Sequence, residues 1–178
     1  MKIDFKVLNM MDLRKSPGEA LDRVAEDGEV FIIERSGQPK ACLVPVSFLM
    51  PDIAPNKIKT ELDNLRNKKQ NFRLTITEQK ELKVSFLEVA AGDNIIISIV
   101  LPHGYPKSSP RIYAENLPRD TPDRWRDGAL SIFGTMEIWN PKKHDVFYAL
   151  SLARTWLGQY AKWRKTGEWP KNQVNDHD

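Results

Sequence analysis

The stretch from Tyr105 to Pro141 reads YPKSSPRIYAENLPRDTPDRWRDGALSIFGTMEIWNP, and its reading decides the fold. Pro102 just ahead of it, then Pro106, Pro110 and Pro118, forbid a continuous helix, because each lacks an N–H and fixes its own φ. Arg111-Ile112-Tyr113 suits a short strand between these breaks. Working back, three more strands are expected. Phe72 to Thr77 and Leu82 to Glu88 alternate as half-buried antiparallel strands do, with a short turn over Glu78 to Glu81. Asn94 to Leu101 is more continuously apolar, as a central strand is, and Gly92-Asp93 marks the turn before it. Ahead of these, Ile58, Leu62 and Leu65 keep the spacing of one helix face within the charged stretch Lys57 to Lys69. Working forward, a long helix is expected from about His144 to Lys165. Phe147, Leu150, Trp156, Leu157, Tyr160 and Trp163 lie on its apolar side, and Gly167 stands near its stop. Helix, antiparallel meander, proline-bracketed loop and long helix make an α+β order.

Over residues 57–170 this order and its residues resemble the ubiquitin-conjugating (UBC) family, bacterial type. Tyr105-Pro106 followed by Pro110 is similar to the family's Y-P-x-x-x-P bend after the third strand. Thr121-Pro122-Asp123 falls where the family has His-Pro-Asn. Gly128-Ala129-Leu130-Ser131 matches the G-x-x-C element that presents the catalytic cysteine, with Ser131 at the cysteine position. Trp139-Asn140-Pro141 begins eight positions later, the spacing of the family's W-x-P. Trp156 to Trp163, continuing through Thr166 to Pro170, resembles the tail of bacterial members.

The resemblance implies a catalytic trio of Ser131, Asp123 and His144. A conjugating enzyme carries its modifier on cysteine as a thioester, for which an accessible thiolate suits. Serine is a far weaker nucleophile unless a base deprotonates it, and an ester on it resists transfer, so Ser131 predicts little or no turnover. Two origins of Ser131 stay open. The natural chain has lost its cysteine and binds without chemistry, or serine has replaced a natural cysteine to stop turnover. Asp123 takes the place of an Asn that supports the oxyanion, a role that needs a donor. A carboxylate donates only when protonated, although it can orient or deprotonate an incoming amine. His144, thirteen residues after Ser131, stands where some bacterial relatives place a histidine, which implies a general base. The plainer reading of His144 is an exposed residue opening the last helix. A Ser-His hydrolytic pair fits poorly, since no G-x-S-x-G elbow surrounds Ser131.

A connector is expected over residues 51–56, where Pro51-Asp52-Ile53-Ala54-Pro55-Asn56 cannot continue a helix. Residues 1–50 ahead of it make a smaller module. Ile3 to Leu8 alternates like a strand. Ser16-Pro17-Gly18-Glu19 opens a helix, with Ser16 as cap, Pro17 at the first position and Glu19 completing a capping box. Leu21, Val24 and Ala25 supply its apolar face and Gly28 its stop. Val30 to Arg35 and Lys40 to Val46 are strands, joined by the turn Ser36-Gly37-Gln38-Pro39. Leu13-Arg14-Lys15 through Val24, then Val30 through Pro45, resembles the Phd/YefM antitoxin family. The resemblance implies a homodimer through residues 1–50 and operator-DNA binding, with Arg14 and Lys15 on a helix and Arg35 and Lys40 flanking the hairpin turn. Against it, residues 1–53 hold seven Lys/Arg and nine Asp/Glu, whereas phosphate binding wants excess cations. The plainer reading of Arg14 and Lys15 is a solvated helix face.

The remaining composition narrows the function classes. At 178 residues, 40% apolar and 29% charged, the chain has the make-up of an ordinary globular protein. No apolar run reaches the ~20 residues a membrane span needs, so a cytoplasmic protein without membrane contact is expected. Cys42 is the single cysteine, which excludes an intrachain disulfide and a cysteine-based zinc cluster. It reads as packing within an apolar strand. The three histidines have no metal-ligand spacing and no glycine-rich phosphate loop is present, so no metal or cofactor is expected. The tryptophans read as core and closing-helix packing, and residues 171–178 as a polar tail. The partners implied are a ubiquitin-like modifier, an activating enzyme or a defence effector. The competing class is a DNA-binding autorepressor of a toxin–antitoxin-type operon.

Overall fold

The computed structural model describes residues 5–49, 55–133 and 137–170. The chain divides into two compact units, Met1–Pro51 and Asp52–Asp178.

In the first unit a three-stranded sheet is assembled from β1 (Phe5–Asn9), β2 (Val30–Arg35) and β3 (Gln38–Leu43), in that spatial order. β1 runs parallel to β2, and α1 (Met10–Lys15) and α2 (Pro17–Ala25) make the crossover between them. A short α3 (Val46–Leu49) follows. Alternation in β2 sends Phe31 and Ile33 to one face, where they pack with Val24, Leu8, Met10, Leu13 and Leu43. The β2–β3 turn is two residues long, and Ser36 (φ 53°) and Gly37 (φ 71°) both take the left-handed conformation that a tight hairpin demands.

Several local expectations are corrected here. The chain is already helical before Ser16, because Asn9 caps α1 through its side chain, which accepts from Met11 and Asp12 N–H at 2.8 and 3.0 Å. Ser16 N–H donates to Asp12 O at 3.2 Å, and the Ser16 side chain makes no cap bond, so Pro17 alone carries the start of α2. The buried face of α2 is Ala20 and Val24, whereas Leu21 is 55% exposed and Ala25 also faces water. Cys42 is exposed rather than packed. It lies on edge strand β3 opposite Ile32, on the face away from the Phe31–Ile33 core. Of the expected connector, residues 51–54 lie outside the described residues, and Pro55 and Asn56 are the first residues of the next helix. The 171–178 tail also lies outside them.

The second unit has the expected α+β order. It runs α4 (Pro55–Asn67), β4 (Arg73–Ile76), β5 (Leu82–Ala90), β6 (Asp93–Leu101), β7 (Arg111–Glu115) and α5 (Val146–Thr166). The four strands form an antiparallel meander in sequence order. Its register aligns buried rows across the sheet: Val84 opposite Ile99 opposite Ile112, and Phe86 opposite Ile97 opposite Ala114. α5 packs on β5 and β6 and also against α4. Its Val146, Ala149, Leu150, Ala153, Trp156 and Tyr160 are fully buried. Burying each large side chain contributes about 1.5–3 kcal/mol, so this layer outweighs any single polar contact. Asp145 caps α5 by accepting from Tyr148 N–H at 2.7 Å, and Gly167 ends it in the left-handed region (φ 78°). The chain then turns back so that Trp169 packs on Trp156 and Trp163, with ring centroids 5.1 and 6.4 Å apart. No helix among the described residues is long and apolar enough to cross a membrane.

Candidate functional site

The segment from Thr121 to Ser131 folds back on itself as a tight ribbon. Gly128 N–H donates to Trp125 O at 2.9 Å, with Gly128 at φ 86°, a conformation that glycine adopts without a Cβ penalty. Asp127 accepts from Ala129 N–H at 3.0 Å and stiffens the turn. Trp125 N–H then donates to Ala129 O at 2.8 Å, and Ser131 N–H donates to Asp123 O at 3.0 Å. These bonds pair Arg124 with Leu130 and set Asp123 opposite Ser131. Leu130 N–H donates to Ile112 O at 2.7 Å, which ties the ribbon to β7. Ala129, Leu130 and Ile132 are buried while Ser131 between them is half-buried. The Arg124 guanidinium donates to the carbonyls of Pro118, Arg119 and Thr121 and holds the incoming loop.

Asp123 takes the left-handed conformation (φ 58°), which Asp tolerates better than most residues. Its side chain is held by Trp156, whose indole N–H donates to Oδ2 at 3.1 Å and to the Asp123 carbonyl at 3.3 Å. Burial pushes the Asp123 carboxyl above its ordinary value, and the Trp156 hydrogen bond opposes that shift.

His144 sits in an aromatic cluster. Asn140 N–H donates to His144 Nδ1 at 3.0 Å, which places the proton of the neutral ring on Nε2 and makes that nitrogen a donor. The ring stacks on Tyr148, centroids 4.0 Å apart, and meets Trp139 edge-on at 5.5 Å. Trp139 in turn contacts Phe133 at 5.3 Å and donates to Pro106 O at 2.7 Å. Asp123 and Ser131 are thus directly opposed. His144 is connected to the Ser131 segment through the ring sequence Phe133, Trp139, His144. An open hollow of about 610 Å³ runs along Glu137, Trp139, Asn140 and His144.

Beneath this loop lies a buried polar centre that periodicity alone does not reveal. Glu61, 3% exposed, accepts from the Tyr105 hydroxyl, from Lys57 at 2.7 Å and from Val146 N–H at 2.9 Å. Asn64 donates to Asp145 beside it. Burial, then the Glu61 carboxylate, hold the Tyr105 phenol far above its ordinary value, so it stays a proton donor. Glu61 follows Ile58 by three and precedes Leu65 by four, so its place on the apolar helix face was the available signal. A second such group is Glu81, nearly buried at the β4–β5 turn. There Arg111 donates to both its oxygens at 2.8 and 2.6 Å.

In the first unit Arg14 and Lys15 are exposed in the last turn of α1, and Lys15 lies 3.7 Å from Asp12. Arg35 and Lys40 are exposed on either side of the hairpin turn. No group of His, Cys, Asp and Glu among the described residues is placed to hold a metal ion.

No family model matches the chain, and no curated protein does. Among solved structures it is similar to the ubiquitin conjugating enzyme E2 of Plasmodium vivax, at 23% identity and a TM-score of 0.39. That likeness covers 56% of this chain and 96% of the other. A likeness of this size decides nothing about chemistry.

Proposed function

We propose that residues 57–170 form a ubiquitin-conjugating-type domain that binds or carries a ubiquitin-like modifier, with position 131 as the attachment point. The observation that carries this reading is the Asp123–Ser131 ribbon. There the serine at the cysteine position of a G-x-x-C element is bonded through its N–H to the residue at the His-Pro-Asn position. With serine the domain binds its modifier, an activating enzyme or a defence effector without turnover, because a serine hydroxyl lacks the thiol's nucleophilicity near neutral pH. Asp123, an acceptor, acts on an incoming amine rather than on an oxyanion, and His144 offers Nε2–H as a donor. The first unit, as a Phd/YefM-like module, makes the chain a homodimer in a reducing, cytoplasmic setting.

The test is the Ser131→Cys chain mixed with a candidate modifier and its activating enzyme from the same operon. A covalent adduct that thiol reductant removes is expected. If every candidate pair leaves the thiol unmodified, the domain is a binding module and the conjugating reading fails.

A second reading, an autorepressor, rests on the exposure of Arg14, Lys15, Arg35 and Lys40. It requires a gel shift with the operon's own upstream DNA at low ionic strength that fades as salt rises. Absence of that shift removes it.

A further inference from the structure

One carbonyl oxygen joins the candidate attachment point to the middle of the last helix. Asp123 O accepts from Ser131 N–H at 3.0 Å and from the Trp156 indole N–H at 3.3 Å. The same indole N–H also reaches Asp123 Oδ2 at 3.1 Å. Trp156 is fully buried and its ring is held between Tyr160, stacked at 6.0 Å, and Trp169, at 5.1 Å. Its ring nitrogen is a donor only, so it demands an acceptor, and residue 123 supplies two. The bulk of α5 thereby fixes the left-handed turn at Asp123, the direction of its carboxylate and the height of the backbone at 131.

We propose that Trp156 is a positioning residue for position 131, acting through the Asp123 carboxylate that its indole N–H holds rather than by touching the reacting atoms. The inference rests on position 131 being the functional site. It assigns a role that packing alone does not require, since Phe would keep an aromatic ring in this core without the N–H. The other charged groups of the ribbon are engaged elsewhere or exposed. Arg124 is bound to the carbonyls of residues 118, 119 and 121, Asp127 caps the Ala129 amide, and Arg126 is exposed. On α5, Arg154 is bonded to Glu88 and Gln70, and Tyr160 reaches Asp93 at 3.5 Å.

The test reads a thiol and needs no modifier. The parent carries Ser131→Cys and Cys42→Ser, so position 131 holds the only thiol, and its alkylation by iodoacetamide is followed from pH 6 to 10. Trp156→Phe is then added with Asp123 intact and with Asp123→Asn. Loss of the indole N–H leaves the carboxylate free to turn toward the thiolate and disfavour it. Alkylation near pH 7 is expected to slow by about threefold or more, with the pH midpoint raised. In the Asp123→Asn background the same substitution is expected to change little, because the carboxylate through which it acts is gone. A Trp156→Phe effect of either sign that disappears with Asp123→Asn bears the proposal out. No effect, or an equal effect in both backgrounds, overturns it, as does a thiol at 131 that the reagent never reaches.

If Trp156→Phe does not fold, the Trp156 indole N–H resonance gives the same answer in the parent. It should shift on alkylation at 131 and titrate with pH when Asp123 is present, but not titrate with Asp123→Asn. A resonance indifferent to both overturns the proposal. Because alkylation involves no activating enzyme, failure here is distinct from failure of the conjugating reading.

Discussion

Glu61→Ala is expected to lower the stability of the second unit by about 3–5 kcal/mol, the usual consequence of removing one partner from a buried ionic and hydrogen-bonded group. Three donors converge on this carboxylate: the Tyr105 hydroxyl from the loop after β6, Val146 N–H at the start of α5, and Lys57 one turn earlier on α4. The Lys57 side chain is 25% exposed and can turn to water. Tyr105, 2% exposed, and Val146, fully buried, cannot, and each is left as an unsatisfied buried group. Glu61→Gln keeps one acceptor oxygen and is expected to cost less, about 1–3 kcal/mol. All five tryptophans lie between Trp125 and Trp169, so urea unfolding followed by tryptophan fluorescence reports on the second unit alone. A loss under about 1 kcal/mol for Glu61→Ala would mean that the three donors find other partners, and that this centre does not hold α4, Tyr105 and α5 together.

The second large effect belongs to the apolar layer. Ile97 is fully buried in the middle of β6, opposite Phe86 on one side and Ala114 on the other. Ile97→Ala removes three heavy atoms from a row pressed beneath α5, and the rigid sheet can close little of the resulting space. The expected loss is about 2–5 kcal/mol, the sum of lost transfer energy and an unfilled cavity. Ile138 is the matched control at 82% exposure, and its replacement by alanine is expected to stay within about 0.5 kcal/mol. Equal losses at the two positions in the same fluorescence assay would contradict the assignment of the core.

Patterning made much of the fold legible. The β2 strand from Val30 to Arg35 has its expected ends, and the four meander strands and α5 lie within a few residues of theirs. Their signals are local: alternation for half-buried strands, a continuous apolar run for β6, a helical stripe ending at Gly167. Where expectation failed, a local preference lost to its surroundings. Ser16 has the chemistry of a cap, yet its N–H is already bound to Asp12 O because α1 runs up to it. Cys42 has an apolar side chain, yet β3 is an edge strand and its outer face is uncovered within this unit.

For the candidate site the division is sharper. The spacing of Gly128, Ser131, Trp139 and Pro141 marks the segment, and a glycine followed by Ser131 three positions later is visible to any reader of the chain. That position 131 is a serine, a weak nucleophile without a base to deprotonate it, is likewise a chemical fact of the sequence. What the sequence does not contain is the direction in which Asp123 points. That depends on Trp156, 33 residues away and buried in a helix whose period marks it only as core. Glu61 is the same case at longer range, since its partners Tyr105 and Val146 stand 44 and 85 residues along the chain. Periodicity assigns a residue to a face, whereas a buried polar side chain is defined by what meets it there. The tertiary structure alone decided that the Asp123 backbone is bonded to position 131, that an indole N–H holds the Asp123 carboxylate, and that a second carboxylate anchors the start of the same helix.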